Sequence, residues 1–255
     1  MPSGVAWAAP REDAVVSNRY SRILLKLSGE ALAADGDPFG HEKLAALARV
    51  IADLVEEKVQ IAVVVGAGNL FRARSANLDT MNRVTADHVG MLATMMNAAV
   101  LRDYLRAEGT RAVVLTPDER PPLGRAFSRD RALPLLQDRT VLIFGGGTGN
   151  PYFTTDSAAA LRALEIQADI LLKGTQVDGV YDKDPKRHAD AVRYDTLSFD
   201  VAIDRRLRVM DLTALALCEE NAMPIMVFDI SDPDNLRRVV RGELEGTLVT
   251  KESAR

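Results

Sequence analysis

Little in this chain points to redox or metal chemistry. Of its 255 residues only one is a cysteine, Cys218, so no intrachain disulfide can form, and the lone thiol reads as a small core residue. The three histidines, His41, His88 and His188, are scattered without metal-ligand spacing, and no side-chain metal site is expected. No apolar run approaches the roughly 20 residues that cross a bilayer, so no membrane partner is expected. Positive charge is not in excess: 32 Lys and Arg stand against 36 Asp and Glu, with a pI near 5.5. That balance argues against a nucleic-acid binder and leaves a small anionic ligand as the expectation. The patterns GxxxxGK[ST] and GxSxG are absent, as is GxGxxG after the first apolar run, which closes the P-loop, nucleophile-elbow and dinucleotide routes. No signal-peptide core follows Met1, which fits a cytoplasmic location. Residues 1–18 lack any period and are expected to form a flexible tail ahead of a single domain over 19–255.

What is present is an alternation of apolar runs and amphipathic stretches. RILLKL (22–27), QIAVVV (60–65), RAVVL (111–115), TVLIF (140–144), DILL (169–172) and the run 225–228 read as buried strands. Residues 41–58, 87–107, 129–137, 157–167, 199–205, 211–221 and 234–240 read as helices, and 247–250 as a last edge strand. The period of the long helix predicts that Met91, Leu92, Met95, Met96, Ala99 and Val100 are mostly buried. Strand and helix in turn imply an α/β fold: a three-layer αβα sandwich around a mainly parallel sheet.

Several strand exits carry glycine and charge. FGGGTGNPYFTTD (144–156) joins a strand to a helix, the junction where open α/β sheets bind ligands. Its four glycines leave backbone N–H groups open to an anion, Thr148, Asn150, Thr154 and Thr155 add donors, and Asp156 reads as the helix N-cap. Lys26 sits inside an apolar run just before Ser28 and Gly29, where a cation aimed at phosphate competes with a lysine that merely snorkels to water. The second strand opens into Gly66, Ala67, Gly68 and Asn69, with Arg72 able to fork onto a phosphate. A polar lid or contact loop is expected over 73–85. Asp87 can accept from ligand hydroxyls or simply cap its helix, and Tyr181 and Asp184 can flank a purine nucleoside.

Six stretches, KLSGEAL from Lys26, VVVGAGNLFR ending at Arg72, NRVTADHVGMLAT from Asn82, GGGTGNPYFTTD ending at Asp156, LLKGTQVDGVYDKDP ending at Pro185 and RVMDLTA from Arg208, together resemble the bacterial uridylate kinases of the amino-acid kinase superfamily. The likeness runs in order from Tyr20 to Thr250. It implies an enzyme that moves the γ-phosphoryl group of Mg-ATP to UMP in pyrimidine nucleotide biosynthesis, working as a homohexamer under GTP activation and UTP inhibition, with Arg102 and Asp103 near the effector. By the resemblance, Lys26, Leu27, Ser28 and Gly29 touch ATP phosphates, with Gly68 and Arg72 between donor and acceptor. Thr175, Tyr181 and Asp184 hold adenosine. Ala67, Asp87 and the segment Thr148, Gly149, Asn150, Pro151, Tyr152, Phe153, Thr154 and Thr155 hold UMP, and Asp211 orients the catalytic lysine. Ala67 and Ala73 replace family glycines and are expected to loosen UMP binding. Two alternatives stay open: a related enzyme with another acceptor, and a nucleotide-binding oligomer without turnover.

Overall fold

A computed structural model of the protein describes residues 18–34, 36–71 and 80–251. The tail expected over 1–18 lies outside these residues except for Asn18, as do Arg72, Ala73 and most of the loop expected over 73–85. A nine-stranded sheet runs in the order β4 (Arg125–Ala126), β3 (Ala112–Thr116), β5 (Val141–Phe144), β2 (Gln60–Val65), β1 (Arg22–Leu27), β6 (Ile170–Thr175), β10 (Ile225–Asp229), β11 (Gly246–Thr250), β9 (Thr196–Ser198). Every pairing is parallel except β10 with β11. The expected last edge strand is therefore an inner one: β11 pairs with β9, a three-residue strand that forms the edge. A two-stranded ribbon, β7 (Val180–Tyr181) with β8 (Arg193–Tyr194), stands apart.

Side chains alternate across a strand, and β1 divides accordingly between two cores. Ile23, Leu25 and Leu27 enter one core with α1 (His41–Glu56), α2 (Arg83–Ala107) and α7 (Asp234–Arg241). Leu24 enters the other with α3 (Arg129–Gln137), α4 (Thr155–Glu165), α5 (Phe199–Asp204) and α6 (Leu212–Glu220). Helices thus cover both faces of the sheet, as the apolar runs require. Cys218 is fully buried in the second core, where burial pushes its thiol pKa up to about 12.

The order of the strands places the site. From β1 the chain steps to β2 and outward to β3 and β5, and from β5 it crosses back over β2 and β1 to reach β6. The crossover is α4, so its first turn hangs over the carboxyl end of β1 where the connections change direction. Helix α2 begins at Arg83, capped by the Asn82 side chain, which accepts from Val84 N at 2.8 Å. Asp87 consequently lies in the second turn and does not cap the helix. Leu92 and Met96, expected among the buried positions of α2, are 57% and 52% exposed.

Candidate active site

Lys26 is on the face of β1 that Leu24 shares with α4, and only 8% of its surface is exposed. A buried ammonium needs a partner, and α4 supplies it: Lys26 Nζ lies 2.5 Å from Asp156 Oδ1. The neighbouring strand brings a second lysine to the same carboxylate. Lys173 on β6 is the register partner of Lys26, and its Nζ lies 3.0 Å from Asp156 Oδ2 and 2.5 Å from the Val209 carbonyl oxygen. Burial alone would raise the Asp156 pKa, but the Lys26 and Lys173 ammonium groups outweigh it and hold the carboxyl at about 2. Burial pulls the Lys173 pKa below the ordinary lysine range, with Asp156 opposing. Two cations share one anion, so the group carries a surplus positive charge at the floor of a cleft.

That cleft, of about 770 Å³, brings together Lys26, Ala67, Gly68, Asp87, Thr148, Phe153, Thr154, Thr155 and Asp211 from the sequence expectation. It also has Lys173, Asp156, Arg83, Thr94, Arg208 and Met210 in its walls, none of which was nominated as a ligand contact. Tyr181 and Asp184 line a second cavity of about 540 Å³, and Arg208 belongs to both walls. Other expected residues do different work. Leu27 is fully buried and its carbonyl accepts from Gly66 N, so its side chain is core and not ligand contact. Ser28 opens the 3-10 turn Gly29–Leu32. A Cβ on Gly29 would come within 2.2 Å of Asn69 Oδ1, so this glycine serves the close approach of two strand-exit loops. Thr175 lines neither cavity; its Oγ1 donates at 2.6 Å to the carbonyl oxygen of Val177, which is in the wall of the second one.

The glycine loop is more a packed corner than an open anion cradle. Gly145 N donates to Leu115 O, Gly146 N to Thr94 Oγ1, and Gly149 N to Gly146 O, so three of its four glycine amides are spent within the protein. Gly147, at φ +58, has open space at its Cβ position and is the glycine that lines the cleft. Asn150 N donates to Thr148 Oγ1, Pro151 follows in the turn, and Tyr152 is 67% exposed at φ +72. The N-cap of α4 is Thr154, whose hydroxyl accepts from Asp156 N at 3.0 Å, which frees the Asp156 carboxylate to turn toward the lysines.

Asp211 was expected to orient Lys26. Its place is different: it caps α6, accepting from Ala214 N at 2.8 Å, and receives the hydroxyls of Thr154 and Ser157 from α4. Asp211 therefore stitches α6 to α4, and the carboxylate on Lys26 is Asp156.

One face of α2 holds, at three points, the two loops that flank the cleft, residues 144–156 and 66–69. Asp87 accepts Tyr152 N at 2.8 Å and takes both oxygens to Arg83 Nε at 2.9 Å. Thr94, 3% exposed, accepts Gly146 N at 2.8 Å. Asn97, fully buried, donates to Gly66 O and Asn69 Oδ1 at 2.7 and 2.8 Å. Thr94→Val keeps the shape but removes the acceptor from a buried N–H. It is expected to cost about 1–3 kcal/mol, read as a lower urea midpoint with an unchanged m-value. An unchanged midpoint would mean that Gly146 N finds another acceptor.

The amino acid kinase family model matches residues 21–229. Among solved structures, UMP kinase from Bacillus anthracis aligns with TM-score 0.88 and 35% identity, covering 92% of this chain and 98% of that one. UMP kinase from Ureaplasma parvum aligns with TM-score 0.86 and 37% identity over 91% and 100% of the two chains. Uridylate kinase from Archaeoglobus fulgidus aligns with TM-score 0.69 and 31% identity over 89% and 99%.

Proposed function

The chain belongs to the amino acid kinase family, and on that premise we propose that it is a UMP kinase that transfers the γ-phosphoryl group of Mg-ATP to UMP, giving UDP for pyrimidine nucleotide biosynthesis. The observation that carries the reading is the Lys26–Asp156–Lys173 group at the floor of the cleft, in a chain 35–37% identical to two bacterial UMP kinases over about nine-tenths of its length.

The chemistry asks for little beyond charge and alignment. A phosphate monoester has its second pKa near about 6, so UMP meets ATP as a dianion at neutral pH and needs no general base. Bringing two anions together is the obstacle, and positioning with electrostatic stabilisation dominates phosphoryl transfer. Lys26 and Lys173 supply the positive charge, and alignment contributes on the order of 7–11 kcal/mol of barrier reduction in well-oriented systems. In this reading Asp87 accepts from the UMP ribose and Thr148 to Thr155 flank the uridine. Tyr181 and Asp184 take adenosine in the second cavity, and Arg72 adds its fork between the phosphates.

Among the described residues no three His, Cys, Asp or Glu side chains gather into a metal site; in this reading the Mg²⁺ enters on the ATP phosphates. Asp211 is the cleft carboxylate without a cation at ion-pair distance among the described residues, and it would hold the ion or its water. When bound, Mg²⁺ neutralises charge on the β- and γ-phosphates.

Assembly as a cytoplasmic homohexamer is part of the proposal, supported by Leu92 and Met96, exposed one turn apart on α2. A light-scattering mass below six chains would remove it. GTP activation and UTP inhibition are likewise proposed, with Arg102 and Asp103, paired at 2.9 Å, beside the effector.

The test is Mg-ATP-dependent ADP release with UMP, CMP, dUMP, AMP and acetylglutamate in parallel, with and without GTP or UTP, and Lys26→Ala as the blank. Release confined to UMP supports the assignment. Release with acetylglutamate instead would move the chain to a carboxylate-directed branch of the family. UMP binding without any release would make it a nucleotide-binding oligomer.

A further inference from the structure

We propose that Arg208 is a phosphate-binding residue for the donor nucleotide, seated where the lysine-floored cleft meets the second cavity; the inference rests on the UMP kinase reading above. Among the described residues Arg208 is the one that lines both spaces. On one side of it are Lys26 and Lys173, and on the other Tyr181 and Asp184. A nucleotide with its nucleoside beside Tyr181 and its terminal phosphate beside Lys26 has to pass its inner phosphates across Arg208.

The side chain is uncommitted while its backbone is fixed. Arg208 is exposed and makes no ion pair or hydrogen bond with any described residue, whereas Arg83 is tied to Asp87, Arg193 to Asp178 and Arg205 to the Tyr194 hydroxyl. Its neighbour Val209 is fully buried, and the Val209 carbonyl is held at 2.5 Å by Lys173 Nζ. Three residues on, Asp211 caps α6. The guanidinium therefore swings from a stem anchored to one of the two site lysines.

Charge explains why another cation belongs there. Asp156 neutralises one of the two lysines, so their group offers one net positive charge against a triphosphate that carries several negative ones. A guanidinium is suited to the remaining oxygens because its planar fork can bond two at once. The competing account, a surface arginine that serves only solubility, predicts no effect on nucleotide affinity.

The test is calorimetric titration of the full chain with Mg-ATP and, separately, UMP, for the parent, Arg208→Met and Arg208→Lys, at several salt concentrations. Arg208→Met is expected to weaken ATP about 10- to 100-fold and leave UMP within about twofold, and Arg208→Lys to recover part of the loss. The parent is expected to lose ATP affinity more steeply with added salt than Arg208→Met does, which a purely structural role would not produce. Equal ATP affinity in Arg208→Met, or an equal loss for ATP and UMP, would overturn the proposal while leaving the kinase reading standing. A parent that binds UMP but not ATP would overturn the kinase reading, and this inference with it.

Discussion

Lys26→Ala is expected to lower kcat by roughly 10² to 10³ while the fold and UMP affinity are retained, by analogy with the loss of one preorganised donor in a water-poor site. The retention follows from charge counting. With both lysines present the buried group is two cations on one carboxylate. Removing Lys26 leaves Asp156 and Lys173 as a neutral pair at 3.0 Å, so no buried charge is stranded. What disappears is the surplus positive charge at the cleft floor, the part that phosphoryl transfer uses. Lys26 is also 8% exposed, so water cannot readily replace the missing ammonium. The measurement is kcat under saturating Mg-ATP and UMP, with UMP affinity by calorimetry. Turnover within threefold of the parent would take Lys26 out of the chemistry. A collapse of UMP affinity instead would reassign it to the acceptor.

The residues that matter for this argument were unequally legible in the sequence. Apolar runs and helical periods are local signals, and β1, β2 and α3 fall on the expected residues because nothing competes with them there. Strands of two or three residues, β4, β7, β8 and β9, carry no such signal, since they exist only through the strands they pair with. The polar start NRVTAD hid the first turn of α2, although Asn82 is a good cap. In TTD, a local rule favours Asp156 as the cap, and only the position of the two lysines explains why Thr154 caps instead. Lys173 had a visible signal in the likeness of LLKL and LLKG, both apolar runs closing on a lysine, but that they lie side by side is fixed by strand register. Thr94 and Asn97 were concealed inside a methionine stripe that reads as ordinary core. Arg72 lies outside the described residues, so its part in the site stands on the sequence resemblance.

Asp156→Asn is expected to be the most destabilising single change at the site. It keeps the shape of the side chain but leaves Lys26 and Lys173 buried side by side without a counter-ion at ion-pair distance, and stranding a buried charge in this way costs about 3–5 kcal/mol. The pH dependence gives a second handle. In the parent the carboxyl titrates at about 2 against an ordinary 3.8, so its stabilisation is complete above the unfolded value and is lost as pH falls through about 2. That shift corresponds to about 2 kcal/mol, and the variant should show no such loss in that window. The alkaline end separates the variant from the parent again, with the same sign of slope. Burial already lowers the Lys173 pKa, and without Asp156 it falls further. The folded variant then binds fewer protons than the unfolded chain, so its stability should recover as pH rises. Urea unfolding across pH, with Asp156→Asn/Lys173→Met alongside, separates charge from shape. The double variant removes one of the two stranded cations, so it should be more stable than Asp156→Asn alone, a coupling that distant sites do not show. If the double variant is instead the weaker of the two, the Asp156 and Lys173 side chains hold the site by packing, and the surplus-charge account of Lys26 loses its basis.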